Sequence, residues 1–306
     1  MIVVERIADV RARCEEARRA GRSVGLVPTM GSFHAGHLSL MRAARAADDF
    51  VVVSLFVNPL QFAPHEDLAA YPRDLAGDAA AAEAVGVDVL FAPPLEEIYP
   101  PGKPVVTTVH VEELTSGLCG RTRPGHFDGV TTVVAKLFSI VGPCRAYFGR
   151  KDAQQLAVVT RMAADLDLPV EVVGCPLVRE PDGLAMSSRN SYLTTDERAV
   201  ATVLSRALRE AVDEVRDGER DASTVRNLLD RRISTEPAAR LDYAEVVDAA
   251  DLSPVGRIEG RVLLAVAAFV GRARLIDNAV VTVSTSGVEA DLGVLVSESE
   301  AQCAAS

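Results

Sequence analysis

No two cysteines stand in a CxxC arrangement, and no basic leader runs into an apolar stretch, in these 306 residues. The five cysteines (Cys14, Cys119, Cys144, Cys175 and Cys303) are odd in number and widely spaced. That argues against a zinc site or a disulfide framework and for reduced thiols in a cytosol. The longest apolar run, Val262 to Val270, is far too short to cross a bilayer. Positive charge is scarce as well: 32 Lys and Arg stand against 43 Asp and Glu, a net charge of −11. Such a chain has no general affinity for nucleic acid or anionic membrane, so an anionic substrate must be held by a local cluster of donors. Neither a Walker A loop nor a GxGxxG fingerprint is present, and there is no internal repeat or low-complexity block. The expectation is a soluble, cytoplasmic protein, 48% hydrophobic and large enough for two domains.

The chain is organised around Pro28-Thr29-Met30-Gly31-Ser32-Phe33-His34-Ala35-Gly36-His37. A short apolar run, Val24 to Val27, precedes it and reads as a buried strand. Leu38 to Arg45 follows, with apolar residues at helical spacing. A strand, a glycine-containing turn and a helix present N-terminal amides to an anion, and the helix end carries partial positive charge. His34 and His37, three residues apart, can reach one phosphate group. The bland alternative is two surface histidines near a turn.

A first helix with Ile7, Val10, Cys14 and Ala17 on one face is closed by Gly21. Phe50 to Val57 reads as a central strand covered on both faces, ending at Asn58-Pro59 with Gln61 just beyond. A helix over about Asp74 to Val85 leads to a strand at Val87–Phe91, a proline-rich loop, and a further strand over Val105 to Val109. The polar loop Gly120 to Gly129 feeds a helix from Val130 to Val141. Arg145–Phe148 reads as a strand, followed by a helix to about Leu166 and a strand at Val170–Cys175. This alternation predicts an α/β fold, a Rossmann-like doubly wound parallel sheet, over residues 1–176. After Pro176 come two helices, about Thr195 to Asp217 and Ala222 to Ile233. Three strand-like runs follow, Leu241–Val247, Arg261–Val270 and Ala273–Val283, suggesting a smaller α+β domain over 177–285. Residues 286–306 read as a mobile tail.

Two further polar clusters stand at comparable positions. Gly149-Arg150-Lys151-Asp152, with Gln154 and Gln155 behind it, offers a tight turn, a point charge for phosphate and a carboxylate for a cap, a ribose hydroxyl or a metal. An ordinary N-cap beside a solvated lysine reads equally well. Met186-Ser187-Ser188-Arg189 places two hydroxyls and a guanidinium in a loop between domains, suited to a triphosphate gripped during reaction.

HxGH at the first strand-to-helix turn with a later MSxS-like loop resembles the nucleotidyltransferase superfamily that includes class I aminoacyl-tRNA synthetases. Within it, VPTMGSFHAGH, SLFVNPLQF, YFGRKDAQQL and VREPDGLAMSSRNSYL resemble, in order, the pantothenate synthetase (pantoate–β-alanine ligase) family. The likeness continues more faintly through Leu275-Ile276-Asp277-Asn278. Two departures stand out: Ala35 where that family often has Glu, and Arg150 and Ala153 where it often has Glu and an aromatic residue. The extra charge of Arg150 is expected to touch nucleotide affinity and not the reaction. The resemblance implies an ATP-dependent ligase that joins pantoate to β-alanine through pantoyl adenylate, releasing AMP and pyrophosphate.

It further implies His37, His34 and Lys151 as catalytic residues, with His37 the proton donor. ATP would be bound by Met30, Gly31, Ser32, Phe33, His34, Ala35, Gly36 and His37, by Gly149, Arg150, Lys151 and Asp152, and by Val178, Met186, Ser187, Ser188 and Arg189. Gln61 and Gln155 would bind pantoate, and Gln61 also β-alanine. Magnesium is expected on the phosphates, but no carboxylate pair identifies its ligands. The family is typically dimeric, so a homodimer is expected, with no nucleic-acid or membrane partner. Two other classes stay open. One is a small-molecule nucleotidyltransferase of the same superfamily, whose phosphate acceptor would call for more Lys or Arg than Asn58, Gln61 and Gln155 provide. The other is a non-catalytic nucleotide sensor.

Overall fold

The computed structural model describes residues 1–64 and 66–296. Strand β1 (Ile2–Val4) opens the chain, too short for any periodicity to reveal. Helix α1 (Ile7–Arg19) buries Val10, Cys14 and Ala17, the face read from the spacing, and leads to β2 (Val24–Thr29). Helix α2 (Ala35–Ala47) and β3 (Phe50–Leu55) follow, then α3 (Leu75–Ala84), capped by the Asp74 side chain, and β4 (Val89–Phe91). Two short helices, α4 (Leu95–Ile98) and α5 (Leu118–Thr122), precede the long α6 (His126–Val141). Strand β5 (Cys144–Gly149), helix α7 (Ala153–Asp165) and strand β6 (Val170–Cys175) complete this series.

These six strands form one parallel sheet in the order β1-β4-β3-β2-β5-β6. The direction of winding reverses between β2 and β5. In doubly wound sheets ligands bind outside the carboxyl ends of the strands at such a switch point. The turn after β2 carries the histidines and the turn after β5 carries Lys151, so the two flank the switch.

The strand expected over Val105–Val109 does not form. The Val109 N–H donates to Thr132 Oγ1 at 3.1 Å, and the Thr131 hydroxyl donates to the Val109 carbonyl. At Val109, side chains of α6 thus satisfy the two backbone groups that a neighbouring strand would otherwise have to pair.

Strand β7 (Val178–Arg179) begins where the rhythm of the sequence changes. The helix expected over 195–217 is interrupted at Thr202, giving α8 (Thr195–Ala201) and α9 (Val203–Arg216). Helix α10 (Ala222–Ser234) and strands β8 (Ala239–Asp248), β9 (Gly260–Val270), β10 (Ala273–Ser284) and β11 (Gly287–Asp291) follow, the strands forming an antiparallel sheet. On β9 the period of two decides the packing. Val262, Leu264, Val266 and Ala268 bury against α9 and α10, whereas Leu263, Ala265 and Ala267 join the core that α6 shares with the parallel sheet. The two sheets are therefore knitted by one hydrophobic cluster.

The tail expected from residue 286 is ordered through Leu295. Strand β11 extends the antiparallel sheet along β10, and β12 (Val294–Leu295) lies parallel to β7. Strand β11 finds a backbone partner that its low apolar content does not advertise, whereas β12 falls in the one apolar stretch of this segment, Leu292 to Val296. The rest of that expected tail, residues 297–306 with Cys303, lies outside the described residues. The four described cysteines form no disulfide with one another, and no described helix is long and apolar enough to cross a membrane.

Candidate active site

Past Thr29 the chain turns through Gly31 (φ +87°) and Ser32 (φ +56°), the left-handed region. The Asp78 carboxylate of α3 holds this turn, accepting from Ser32 N–H at 2.7 Å and Phe33 N–H at 2.6 Å. Two amides of this turn are thus taken by an anion of the protein itself. His34 stands at the N-cap of α2, and its backbone N–H donates to His37 Nδ1 at 3.4 Å. The two rings stack with centroids 4.1 Å apart. Gly36 is what permits the stack, since a Cβ there would come within 2.9 Å of His34 Cε1.

With Nδ1 accepting, the proton of a neutral His37 is placed on Nε2. Burial, then the nearby His34 and Lys151, holds His37 well below the usual imidazole pKa. Burial and then Lys151 lower His34 to about 4. Both rings are neutral at pH 7, and a neutral imidazole donates an N–H without bringing a charge. Among the described residues His34 Nδ1 is buried with no hydrogen-bond partner.

On the opposite side of the crevice, β3 leads to the Asn58–Gln61 turn, against which α6 packs closely. A Cβ at Gly129 would sit 2.4 Å from the Leu60 carbonyl oxygen, so only glycine allows the approach. Asn58 Nδ2 donates to the Gly129 carbonyl at 3.0 Å and to Gln61 Oε1 at 3.1 Å, and Tyr99 OH donates to Asn58 Oδ1 at 2.9 Å. Gln61 Nε2 lies 3.1 Å from Met30 Sδ, joining this turn to the histidine turn. Arg123 forks onto Glu66 at 2.6 and 2.7 Å and also donates to His126 Nε2 at 2.9 Å. An arginine can only donate, so His126 keeps its proton on Nδ1 and gives it to the Gln61 carbonyl at 2.8 Å. Burial, then Arg123, pushes His126 down to about 4. Nothing in the local sequence singles out Arg123, His126, Glu66, Tyr99 or Asp78. The one available signal was the polar, glycine-bounded loop at 120–129.

After β5 the chain makes a turn at 150–152 before α7. Lys151 Nζ lies 3.8 Å from Asp152 Oδ2, and Gln155 stands one turn further on. Gln154 points away, buried, its amide accepting from Cys119 N–H at 2.9 Å and donating to the Leu114 and Gly117 carbonyls at 2.8 and 2.9 Å. The Arg150 guanidinium turns to Asp291 of β11 at 2.9 Å and does not line the crevice. In the serine loop, Ser187 Oγ accepts from Arg189 N–H at 3.3 Å, and Ser188 Oγ donates to the Ser32 carbonyl at 3.5 Å. Arg189 is engaged by Asp67 at 3.0 and 2.9 Å.

These elements close around one cavity of about 240 Å³. Met30, His34, Gly36 and His37 line it from the first turn and Gln61 from the second. Gly149, Lys151, Asp152 and Gln155 line it from the third, and Val178, Met186, Ser187, Ser188 and Arg189 from the loop beyond β6. Gly31, Ser32, Phe33 and Ala35 shape the first turn without lining the cavity. A smaller cavity of about 80 Å³ shares Lys151 and Gln155 and runs toward Tyr243 and Arg274 of the second sheet.

Fold and site define a class: a doubly wound α/β protein whose imidazole, ammonium, hydroxyl and amide donors converge at the switch point of its sheet. Comparison with known proteins narrows the class. Residues 2–280 match the family model described as pantoate-beta-alanine ligase. A pantothenate synthetase of Heliobacterium modesticaldum is 57% identical over 92% of this chain and 100% of its own length. One from Acetivibrio thermocellus is 54% identical over the same shares. The crystal structure of pantothenate synthetase from Thermus thermophilus superposes with a TM-score of 0.85 at 48% identity, covering 91% of this chain and 98% of that one. A pantoate-beta-alanine ligase from Francisella tularensis, complexed with beta-gamma ATP and beta-alanine, gives 0.72 at 32% identity over 91% and 97%. The chain belongs to the pantoate–β-alanine ligase family.

Proposed function

We propose that this cavity binds ATP and pantoate together and that the chain condenses pantoate with β-alanine through pantoyl adenylate. The observation that carries the reading is the convergence of the histidine turn and the Lys151 turn on one cavity, from either side of the sheet's switch point. Pantoate carboxylate attacks the α-phosphorus of ATP, and pyrophosphate leaves. β-Alanine's amine then attacks the acyl carbon, AMP departs, and the amine proton is lost.

Charge builds on the α-phosphate oxygens as the first bond forms, and fixed donors there lower the barrier. His37 Nε2–H is such a donor, oriented by its Nδ1 contact with the His34 backbone. Lys151, Ser187 and Ser188 face the same cavity and suit the departing phosphates. Gln61 and Gln155 offer neutral amides to pantoate. The nearby Arg123 is neutralised by Glu66, so its guanidinium is not left bare to quench the nucleophilic carboxylate. That pairing also disfavours a phosphate acceptor in this part of the crevice.

Magnesium, when bound, would neutralise the phosphate charge. Asp152 is the one carboxylate among the described residues that lines the larger cavity. No described cluster of three or more His, Cys, Asp or Glu could enclose an ion. This fits an ion carried mainly by phosphate oxygens and water. We also read the antiparallel sheet with its helices as a second domain that covers the site, and the protein as a cytoplasmic homodimer. Light scattering on the purified protein tests the last.

Pre-steady-state product analysis tests the reaction. Pyrophosphate should appear once per site from ATP and pantoate alone, and AMP should turn over only when β-alanine is added. ADP as product, or pyrophosphate that waits for the amine, would overturn the mechanism.

A further inference from the structure

Lys151 is held from outside its own element. Asn278, on β10 of the antiparallel sheet, donates from one amide nitrogen to the carbonyls of Arg150 and Lys151, at 3.0 and 2.8 Å. Those two carbonyls belong to the turn at 150–152, whose conformation decides where the Lys151 ammonium points. Asn278 is 7% exposed and lines the smaller cavity beside Lys151 and Asp152.

The strand holding Asn278 is itself fixed. Asp277 Oδ1 accepts from the Asn278 N–H at 2.7 Å, and its carboxylate pairs with Arg179 at 2.7 and 2.9 Å, both residues at most 3% exposed. Arg179 also donates to the Gly183 carbonyl at 3.0 Å, in the turn of the hairpin that leads to Met186 through Arg189. Successive strand residues point to opposite faces, so one dipeptide can hold the lysine turn with one side chain and the serine hairpin with the other.

We propose that Asn278 is a positioning residue for adenylation, setting Lys151 through the backbone of its turn. The proposal rests on the reading of Lys151 as a phosphate ligand. Misplacing such a group by about 1 Å can cost about 100-fold in rate. A side chain that only supported the fold would lower stability and leave the rate of correctly folded enzyme alone.

The test is a double-mutant cycle on single-turnover adenylate formation, with Asn278→Ala and Lys151→Ala alone and together. Asn278→Ala should lower the adenylation rate about 10–100-fold while the KM for pantoate stays within about threefold. In the Lys151→Ala background the same replacement should cost less than about threefold, because the group it positions is gone. Asn278→Thr, which favours the strand but cannot reach both carbonyls, guards against a folding defect and should reproduce the loss. Full multiplicativity of the two losses, or wild-type rates in folded Asn278→Thr, would overturn the positioning role. Lys151→Ala at wild-type rate would instead overturn the reading of Lys151, and the positioning role with it.

Discussion

His34 and His37 form a pair in which the backbone of the first orients the ring of the second: N–H to Nδ1 at 3.4 Å, rings stacked at 4.1 Å. The contact leaves one N–H, at Nε2 of His37, for the cavity. His37→Ala should lower the rate of adenylation by about 10²–10³ while ATP binding weakens far less. Single-turnover kinetics beside equilibrium titration of an ATP analogue make the measurement. Near wild-type adenylate formation would remove His37 from the role.

Arg189 is tied to Asp67 with 27% and 24% of the side chains exposed, and Ser188 reaches the Ser32 carbonyl only at 3.5 Å. A loop held by contacts of this kind can exchange them for phosphate oxygens. A saturating ATP analogue should slow amide hydrogen exchange across 186–189. Unchanged exchange at Ser187 and Ser188 would count against a clamp.

Three histidines, His34, His37 and His126, are held neutral, each with its pKa lowered chiefly by burial. The unfolded chain takes up protons near pH 6.5 that the folded chain refuses until about pH 4 at His34 and His126. Between those values the unfolded state binds more protons, so stability is complete above 6.5 and declines as pH falls toward 4. Melting temperature should therefore drop between pH 7 and pH 5, and His126→Gln should shallow that dependence. An equal slope in wild type and variant would refute the assignment.

Gly129 lets α6 press against the Asn58–Gln61 turn, with 2.4 Å between its would-be Cβ and the Leu60 oxygen. The clash is with backbone, which cannot swing aside as a side chain does. Gly129→Ala should destabilise the protein by about 1–3 kcal/mol. It should also raise the KM for pantoate, since Gln61 sits on the displaced turn. Denaturant melts and pantoate titrations report the two effects separately, and neutrality in both would show that the turn can retreat.

Much of this was legible in the residues themselves. Val24–Val27 before Gly31, and Arg145–Phe148 before Gly149, announce a strand feeding a polar turn, because buried parallel strands are continuous apolar runs; the left-handed backbone that favours glycine occurs at Gly31. HxGH and GRKD could be seen as donors at helix starts for the same local reason. What the chain alone could not disclose were groups whose meaning lies in a distant partner. Asp78 fills the amides of Ser32 and Phe33 from 46 and 45 residues away, and Asn278 holds the Lys151 turn from 127. Arg150 reads as a nucleotide contact, and only the fold pairs its guanidinium with Asp291, 141 residues away. Val105–Val109 has strand composition, yet no strand forms there, and its last residue bonds to side chains of α6. Local periodicity marks most of the longer helices and strands. Only the folded chain decides which polar groups are already spent on one another and which are left facing the cavity, because that depends on contacts no short window of sequence contains.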